Sequence, residues 1–252
     1  MDLVLDDVSK VFDGASEALG SVSLTVETGS FVCIIGPSGC GKSTLLRLIA
    51  DQIAPTTGRI LLGGESPGAA RQRKAIGWMA QNPALLPWRT VLQNVQVPLV
   101  VNRRHGRPAP APEELLTMVG LADFGDAYPG ILSGGMQQRV ALARTLATGA
   151  PLWLMDEPFA ALDELTRETL ADEVLALWRR FRPTVLWVTH NIGEAVRLAD
   201  RVVVMTSRPG RIGAVIEIPL PRPRDETAPE AAALVRELRG LLRSKQATNN
   251  GS

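Results

Sequence analysis

The chain has 252 residues, of which 45% are hydrophobic and 21% are charged, so its composition excludes a wholly disordered protein. Its 27 basic and 26 acidic side chains nearly cancel, so no overall field indicates binding to nucleic acid. Two cysteines, Cys33 and Cys40, exclude a disulfide scaffold and favour a reducing compartment. We find neither a signal peptide nor an apolar run of the roughly 18 residues that span a bilayer, and we expect a cytoplasmic chain.

Short apolar runs alternate with helical periodicity along much of the sequence. Residues 21–26 alternate apolar and polar side chains, which is typical of a half-buried strand. Continuous apolar runs follow at residues 31–35, 152–155, 185–188 and 202–205. Such runs predict strands buried on both faces, as in a parallel sheet. Helical stretches at residues 42–50 and 165–181 separate them, so we predict an α/β fold with a mostly parallel sheet.

The middle of the chain differs from this pattern. Residues from about 90 to 148 show helical periodicity broken by prolines and no buried strand, which predicts a helical subdomain inserted into the α/β core. Within it, residues 103–114 are charged and rich in proline, so we expect a surface loop with a solvated His105.

The C-terminal part predicts a linker and one more helix. Residues 220–230 are polar and rich in proline, which is typical of a linker. Leucines at helical spacing then predict one short amphipathic helix before a polar tail; they are Leu234, Leu238, Leu241 and Leu242.

A phosphate-binding loop is predicted directly after the buried run at residues 31–35. It reads GPSGCGKST and comprises Gly36, Pro37, Ser38, Gly39, Cys40, Gly41, Lys42, Ser43 and Thr44. Glycines let successive backbone N–H groups turn toward an anion, and the following helix adds its positive dipole. We expect Lys42 to reach the β- and γ-phosphates of a nucleotide and the Ser43 hydroxyl to bind Mg²⁺. A glycine-rich turn that merely ends a strand is the structural alternative.

The two cysteines have structural roles in this interpretation. We expect Cys40 to be a tolerated small side chain in this loop, and Cys33 to pack in the core.

Two acidic residues, Asp156 and Glu157, follow the buried run at residues 152–155. Because side chains alternate along a strand, they should point in different directions. Asp156 can hold Mg²⁺ through a water, while Glu157 can face the γ-phosphate and polarise an attacking water. Many strands end in solvated acids, so this assignment depends on the phosphate loop.

The motif LSGGMQQR, at residues 132–139, precedes a helical run. Ser133, Gly134 and Gly135 stand at the start of that helix, which predicts an anion-binding N-terminus. The structural alternative is an N-cap serine followed by two flexible glycines.

The order of these motifs resembles the ATP-binding subunits of ABC transporters over nearly the whole chain. After LSGGMQQR come LWLMDEP at residues 152–158, AALD at residues 160–163 and VTH ending at His190. The resemblance implies a P-loop NTPase core with a mostly parallel sheet, an antiparallel β subdomain and the inserted helical subdomain. It further implies an ATPase domain at residues 1–220, followed by the linker, helix and tail at 221–252, with ATP and Mg²⁺ as cofactors.

The resemblance also implies roles for four further residues. Phe12 looks like the aromatic residue that stacks on adenine, and Gln81 like the glutamine that meets Mg²⁺ and the attacking water. Asp163 resembles the aspartate that crosses a dimer interface, and His190 the histidine that contacts the γ-phosphate. From the residues alone, the structural alternatives are a core position for Phe12, a polar loop residue for Gln81 and a satisfied imidazole at a strand end for His190.

Two further segments, residues 84–95 and SRPGRI at residues 207–212, resemble the nitrate/sulfonate/taurine importer group. This implies uptake of a small, anionic or organic nutrient by a homodimer, in which Ser133 and Gly135 of one copy complete the site on Lys42 of the other. It also implies an integral membrane permease that docks around residues 81–95, an extracytoplasmic solute-binding protein, and a peripheral position on the cytoplasmic face of the membrane.

Two other classes remain as alternatives. A soluble ABC-type ATPase acting on DNA or ribosomes would usually bring a long coiled coil, a second ATPase cassette or a basic patch, and we see none of these in the sequence. We therefore expect no nucleic-acid partner. A P-loop kinase or GTPase would leave LSGGMQQR without a role, and the guanine-reading NKxD motif of GTPases is absent from the sequence.

Overall fold

The computed structural model describes residues 1–12, 16–102, 108–225 and 228–247, and their contacts divide the chain into two units. The first unit comprises Met1–Arg73 and Thr184–Ser252, and the second comprises Lys74–Pro183. The predicted loop at residues 103–114 is described only from residue 108, so His105 lies outside the described residues.

The elements follow one another in an α/β order. The first unit begins with β1 (Leu3–Phe12), β2 (Ser16–Val26), β3 (Phe31–Ile35), α1 (Lys42–Ile49), β4 (Thr57–Leu62) and α2 (Pro67–Gln72). The second unit contains β5 (Ile76–Met79), α3 (Val91–Val101), α4 (Pro112–Met118), α5 (Gly134–Leu146), β6 (Leu152–Asp156) and α6 (Glu164–Phe181), with single 3₁₀ turns at Ala122–Phe124 and Pro129–Ile131. The first unit resumes with β7 (Thr184–Val188), α7 (Ile192–Leu198), β8 (Arg201–Met205), β9 (Ile212–Glu217) and α8 (Pro229–Ala247).

The first unit contains two sheet regions. An antiparallel sheet has the order β2-β1-β4, and the apolar side chains of β2 at Val22, Leu24 and Val26 are buried on one face, as their alternation predicts. In the other region β3 lies between β7 and β8 and is parallel to both, and β9 adds an antiparallel edge to β8. All five residues of β3 and of β7 are buried, which confirms that these apolar runs are interior strands.

The second unit combines a parallel strand pair with helices. β5 and β6 pair in parallel, and β6 is buried along its whole length. In the described residues between 90 and 148 there are helices and turns and no strand, as the sequence predicts. A capping box starts α3, because the Thr90 side chain accepts from the Gln93 backbone and the Gln93 side chain accepts from the Thr90 backbone. None of the helices in the described part of the chain is long and apolar enough to cross a membrane.

The segment after β9 differs from the polar linker predicted at residues 220–230. Arg224 is only 7% exposed, and its guanidinium donates to four backbone carbonyl oxygens, those of Val196, Ala199, Ile218 and Leu220. Burial, reinforced by the charge of Arg222, lowers the pKa of Arg224 to about 10. Arg222 itself donates to the Leu198 carbonyl and pairs with Asp200 at 2.7 Å.

The C-terminal helix is longer than the short helix expected from the leucine spacing. It spans 19 residues and packs on α7, with Leu238 fully buried. The two arginines of the preceding paragraph bind the carbonyls at the C-terminal end of α7, and α8 packs against the same helix. The domain boundary at residue 220 stays a prediction.

Candidate nucleotide-binding site

The phosphate loop connects β3 to α1, and its glycines are required by its backbone. Gly39 and Gly41 have φ values of 74° and 92°, in the left-handed region that favours glycine. A Cβ on Gly41 would also lie 2.6 Å from Leu19 Cδ2 and 2.8 Å from the Ala18 carbonyl oxygen. The first helical hydrogen bond of α1 runs from Leu45 N to Gly41 O at 2.8 Å, so the helix starts at the end of the loop.

Lys42 lies over the loop from which it projects. Its ammonium donates to the carbonyl oxygens of Gly36 at 2.8 Å and Pro37 at 2.9 Å, and the residue is only 7% exposed. The thiol of Cys40 is buried 3.8 Å from the same ammonium, and burial raises the pKa of this thiol despite the lysine charge. The buried thiol with a raised pKa favours the predicted role of Cys40 as a small packing side chain over that of a nucleophile.

His190 follows a strand that is paired with the strand preceding the phosphate loop. The Thr189 backbone N–H donates to the Ile34 carbonyl at 3.2 Å, so His190 lies at the same carboxyl edge as the start of the loop. His190 is exposed there. This edge is where ligands bind in open α/β sheets.

Phe12 lies at the end of β1 with 43% of its surface exposed, and the Lys10 ammonium lies 5.2 Å from the centre of its ring. This exposure is inconsistent with the alternative in which Phe12 belongs to the core. An exposed aromatic face next to a cation can stack on a nucleobase.

In the second unit, Glu157 is held at both its carboxylate and its carbonyl. Gln81 Nε2 donates to Glu157 Oε2 in a long hydrogen bond of 3.4 Å, and Gln138 Nε2 donates to the Glu157 carbonyl at 3.3 Å. Glu157 has a φ of 51°, a left-handed conformation that costs a non-glycine residue about 1 kcal/mol or more. Asp156, one residue earlier, is only 3% exposed at the end of β6. The two acids therefore differ in burial, and because Glu157 lies beyond the end of β6 with a left-handed φ, this difference does not come from the strand alternation on which the prediction was based.

The LSGG motif forms the start of α5. Ser133 caps this helix, because its Oγ accepts from the Met136 backbone N–H at 3.3 Å, as the structural alternative holds. A Cβ on Gly135 would lie 2.9 Å from the Ala161 carbonyl oxygen, so the motif packs closely on the turn at residues 160–163. A Cβ on Gly134 would meet nothing within 4 Å. The cap and the anion-binding N-terminus are compatible, since a capping serine leaves other backbone N–H groups of the first turn available.

Asp163 is also a helix cap. It is exposed and accepts from the Thr166 backbone N–H at 2.9 Å and from the Thr166 hydroxyl at 2.8 Å, at the start of α6. These hydrogen bonds lower the pKa of its carboxyl group. A local role therefore accompanies the interface role that the resemblance implies.

The segment after Gln81 is rigidly held and presents Trp88 to the surface. The buried Asn94 side chain accepts from the Leu86 backbone and donates to the carbonyls of Leu86, Arg89 and Thr90. Arg144 donates to the carbonyls of Pro83 and Ala84. Trp88 is nevertheless 71% exposed, so its indole is not buried by this loop or by the helices of the same unit.

Sequence reasoning missed Gln138 as a partner of the predicted catalytic carboxylate. Gln138 is a buried polar residue inside LSGGMQQR, three positions after Gly135 and thus on the same helix face. Since that face packs against the turn after Glu157, the helical spacing from Gly135 was the available signal.

The chain is similar in sequence to a known protein family and to several of its members. Residues 19–160 match the sequence profile of the ABC transporter family. An uncharacterized ABC transporter ATP-binding protein of Methanocaldococcus jannaschii is 46% identical, covering 96% of this chain and 92% of the relative. A bicarbonate transport ATP-binding protein of Synechocystis sp. is 45% identical over 88% of this chain and 81% of the relative. A nitrate import ATP-binding protein of Synechococcus elongatus is 43% identical over 90% of this chain and 84% of the relative.

Solved structures of similar fold come from the same family as these relatives. The dimeric structure of a bacterial ABC transporter cassette has a TM-score of 0.75 at 33% identity and covers 86% of this chain and 98% of that one. A second structure, a dimeric post-hydrolysis state of the same cassette bound to ADP and phosphate, matches equally well. The chain therefore belongs to the ABC transporter family and is of the ATP-binding, ATP-hydrolysing kind. Within that family it is similar to ATP-binding subunits of nitrate-type importers, which confirms the group predicted from the sequence.

Proposed function

We propose that this chain hydrolyses ATP to power the import of a small anion through a separate membrane permease. The hydrogen bond between Gln81 and Glu157 carries the proposal. It connects a carboxylate suited to polarising water with the first residue of the segment that exposes Trp88. A partner that docks on Trp88 would thereby affect the position of the hydrolytic carboxylate of Glu157 through Gln81. The relatives named for bicarbonate transport and nitrate import support an anionic solute.

The chain's own residues suit the steps of nucleotide binding. Phe12 offers an exposed ring for the adenine base, and residues 36–44 offer backbone N–H groups and the Lys42 ammonium for the phosphates. Glu157 orients and polarises the attacking water, while His190 contacts the γ-phosphate.

Mg²⁺ fits the donor set proposed for it. The side chains of Ser43, Gln81 and Asp156 all offer oxygen, which is the atom that Mg²⁺ prefers, and few protein ligands suffice when phosphates supply the rest. When bound, the ion would neutralise charge that develops on the phosphates.

A second copy of the chain is the proposed partner in ATP binding. The N-terminus of α5, with Ser133, Gly134 and Gly135, would contact the γ-phosphate held by the other copy, and Asp163 would lie at the same interface. The dimeric cassette structures support this arrangement.

The permease is proposed to dock on the segment from Gln81 to Val95. Asn94 and Arg144 hold this segment in one conformation, so the exposed indole of Trp88 is already oriented for a partner. The assembled importer would include an extracytoplasmic solute-binding protein and would hold this chain at the cytoplasmic face of the membrane.

Uptake in a host strain deleted for the gene tests the proposal. Labelled nitrate, bicarbonate and taurine are offered to cells that carry the wild type, Glu157→Gln or the control Glu168→Gln, an exposed acid on α6. We expect uptake of one solute to be lost on deletion, restored by the wild type and the control, and lost again with Glu157→Gln. Purified Glu157→Gln should hydrolyse ATP about 10²–10⁴-fold more slowly. Normal uptake of all three solutes in the deleted strain, with an active purified enzyme, would contradict their import by this chain and favour an ABC-type ATPase that is not coupled to import.

A further inference from the structure

The segment SRPGRI, at residues 207–212, connects β8 to β9. This turn pairs with the edge of β2 through a bridge between Gly210 and Leu19. Gly210 N donates to the Ala18 carbonyl at 3.1 Å, and Gly20 N donates to the Gly210 carbonyl at 3.0 Å. The same part of β2 contacts the phosphate loop, since Ala18 and Leu19 lie against Gly41. The turn at residues 207–212 therefore lies next to the phosphate loop.

Gly210 touches the backbone of the phosphate loop. A Cβ at this position would lie 1.9 Å from the Cys40 carbonyl oxygen and 3.0 Å from the Cys40 carbonyl carbon. Both positions are buried. Because backbone atoms cannot swing aside as a side-chain tip can, only glycine permits this approach without moving the loop.

Arg208 holds the same loop through a hydrogen bond. Its Nε donates to the Gly39 carbonyl at 3.3 Å, across 169 positions of sequence. Gly39 belongs to a tight turn in which Cys40 N donates to the Pro37 carbonyl at 3.3 Å, and it has a left-handed φ of 74°. Because glycine has a wide choice of backbone conformations, an external donor on the Gly39 carbonyl restricts the loop at a position that would otherwise be free to change conformation.

We propose that Arg208 and Gly210 brace the phosphate loop from outside and that Arg208 is a positioning residue for the nucleotide phosphates. The guanidinium holds the Gly39 carbonyl, which keeps the turn at residues 37–40 in one conformation before the nucleotide arrives. Its charge also favours an anion in the adjoining loop. Arg208 therefore sets the affinity for the nucleotide. This inference rests on the proposed nucleotide site.

The chain offers a matched control on the same turn. Arg211 is exposed like Arg208, but its guanidinium lies over Gly20 of β2, where a Cβ would be 2.8 Å from Arg211 Nε. Removing either arginine therefore deletes one exposed positive charge from the turn. Arg208→Ala deletes in addition the donor to Gly39.

The test is calorimetric titration of the purified full chain with ATP and with ADP, together with the Tm of the nucleotide-free protein. We expect Arg208→Ala to raise the Kd for ATP about fivefold to tenfold, Arg208→Lys to recover part of the loss, and Arg211→Ala to stay within about twofold of wild type. The Tm should be the same in all four proteins, because an exposed arginine contributes little to folding. Gly210→Ala should weaken ATP binding further if it folds, and the arginine variants carry the test if it does not.

Three results would contradict the proposal that Arg208 positions the phosphate loop for the nucleotide. They are wild-type ATP affinity in Arg208→Ala, an equal loss in Arg211→Ala, and a loss in Arg208→Ala matched by a lower Tm. Failure of the proposed function gives a different result, because the wild-type chain itself would then not bind ATP.

Discussion

Trp187 and Glu194 are joined by a buried hydrogen bond, from the indole Nε1 to the carboxylate Oε1, that closes the loop carrying His190. Trp187 lies on β7 three residues before His190, and Glu194 lies on α7 four residues after it. Asn191 strengthens this closure, because its Oδ1 accepts from the Glu194 backbone N–H at 3.0 Å. Both ends of the loop are therefore fixed to one buried contact.

Replacement of Glu194 tests this contact. Glu194→Leu should lower the free energy of unfolding by about 1–3 kcal/mol, because Trp187 Nε1 then remains buried without its acceptor. Glu194→Gln keeps an acceptor oxygen and should lose less. Urea unfolding of both variants measures the difference, and equal losses would show that the indole does not depend on this oxygen.

Removal of the Lys42 ammonium should weaken nucleotide binding. The expected increase in the Kd for ATP in Lys42→Ala is at least about tenfold, since a charge-assisted contact to the phosphates is lost. Arg47→Ala, an exposed charge on the same helix, is the matched control. Calorimetry that finds equal ATP affinity in both variants would argue against a role of Lys42 at the phosphates.

An arginine at Ser133 should block the ATP-dependent dimer. The bulky cation would fill the space proposed for the γ-phosphate of the other copy. Light scattering in the Glu157→Gln background, with and without ATP, measures dimerisation. Ser133→Ala removes the helix cap without adding bulk and should still dimerise. Dimerisation of Ser133→Arg would contradict the proposed geometry.

Trp88→Ala should impair assembly with the permease and leave the isolated chain intact. The indole is 71% exposed, so its removal should leave the Tm and the basal ATPase activity of the purified chain nearly unchanged. Asn94→Ala is the contrasting variant, because it removes a buried amide that holds the loop and should lower the Tm. A Tm lowered equally by both changes would indicate that Trp88 packs in the fold.

Acid should reduce the contribution of Asp163 to stability. Its folded pKa lies below the ordinary value of 3.8, so this contribution is present above that value and is lost as the pH falls through the lower, folded pKa. The difference in urea midpoint between wild type and Asp163→Ala should therefore be larger at pH 6 than at pH 3. A difference that does not change with pH would mean that the charge of the carboxylate is not needed for the cap.

Elements with a strong local pattern were predicted well from the sequence. The apolar runs of β3, β6, β7 and β8 and the helix α6 were placed to within a residue at each end. β1 was missed because its pairing with β2 shifts register between Leu5 and Val8, so its buried residues do not keep a period of two. β5 has only four residues, which is too short for a recognisable alternation.

The motifs of the candidate site were predictable for the same reason, since each is a run of neighbouring residues. Contacts between distant residues were not. Helical spacing places Gln138 on the same face of α5 as Gly135, but it does not show that Gln138 reaches the Glu157 carbonyl. No local pattern shows that Arg208 reaches Gly39. The roles of the individual site residues in catalysis stay predictions.

The buried guanidinium of Arg224 has a practical consequence for anyone who shortens this protein. A chain ending at residue 220 would retain every recognisable sequence motif, yet the carbonyls of Val196, Ala199 and Ile218 would lose their donor. The carbonyls of Val196 and Ala199 lie at the C-terminal end of α7, so losing their donor would weaken the helix whose first turn follows His190. Tags and fusion partners therefore belong beyond α8, where they leave the hydrogen bonds of Arg224 intact.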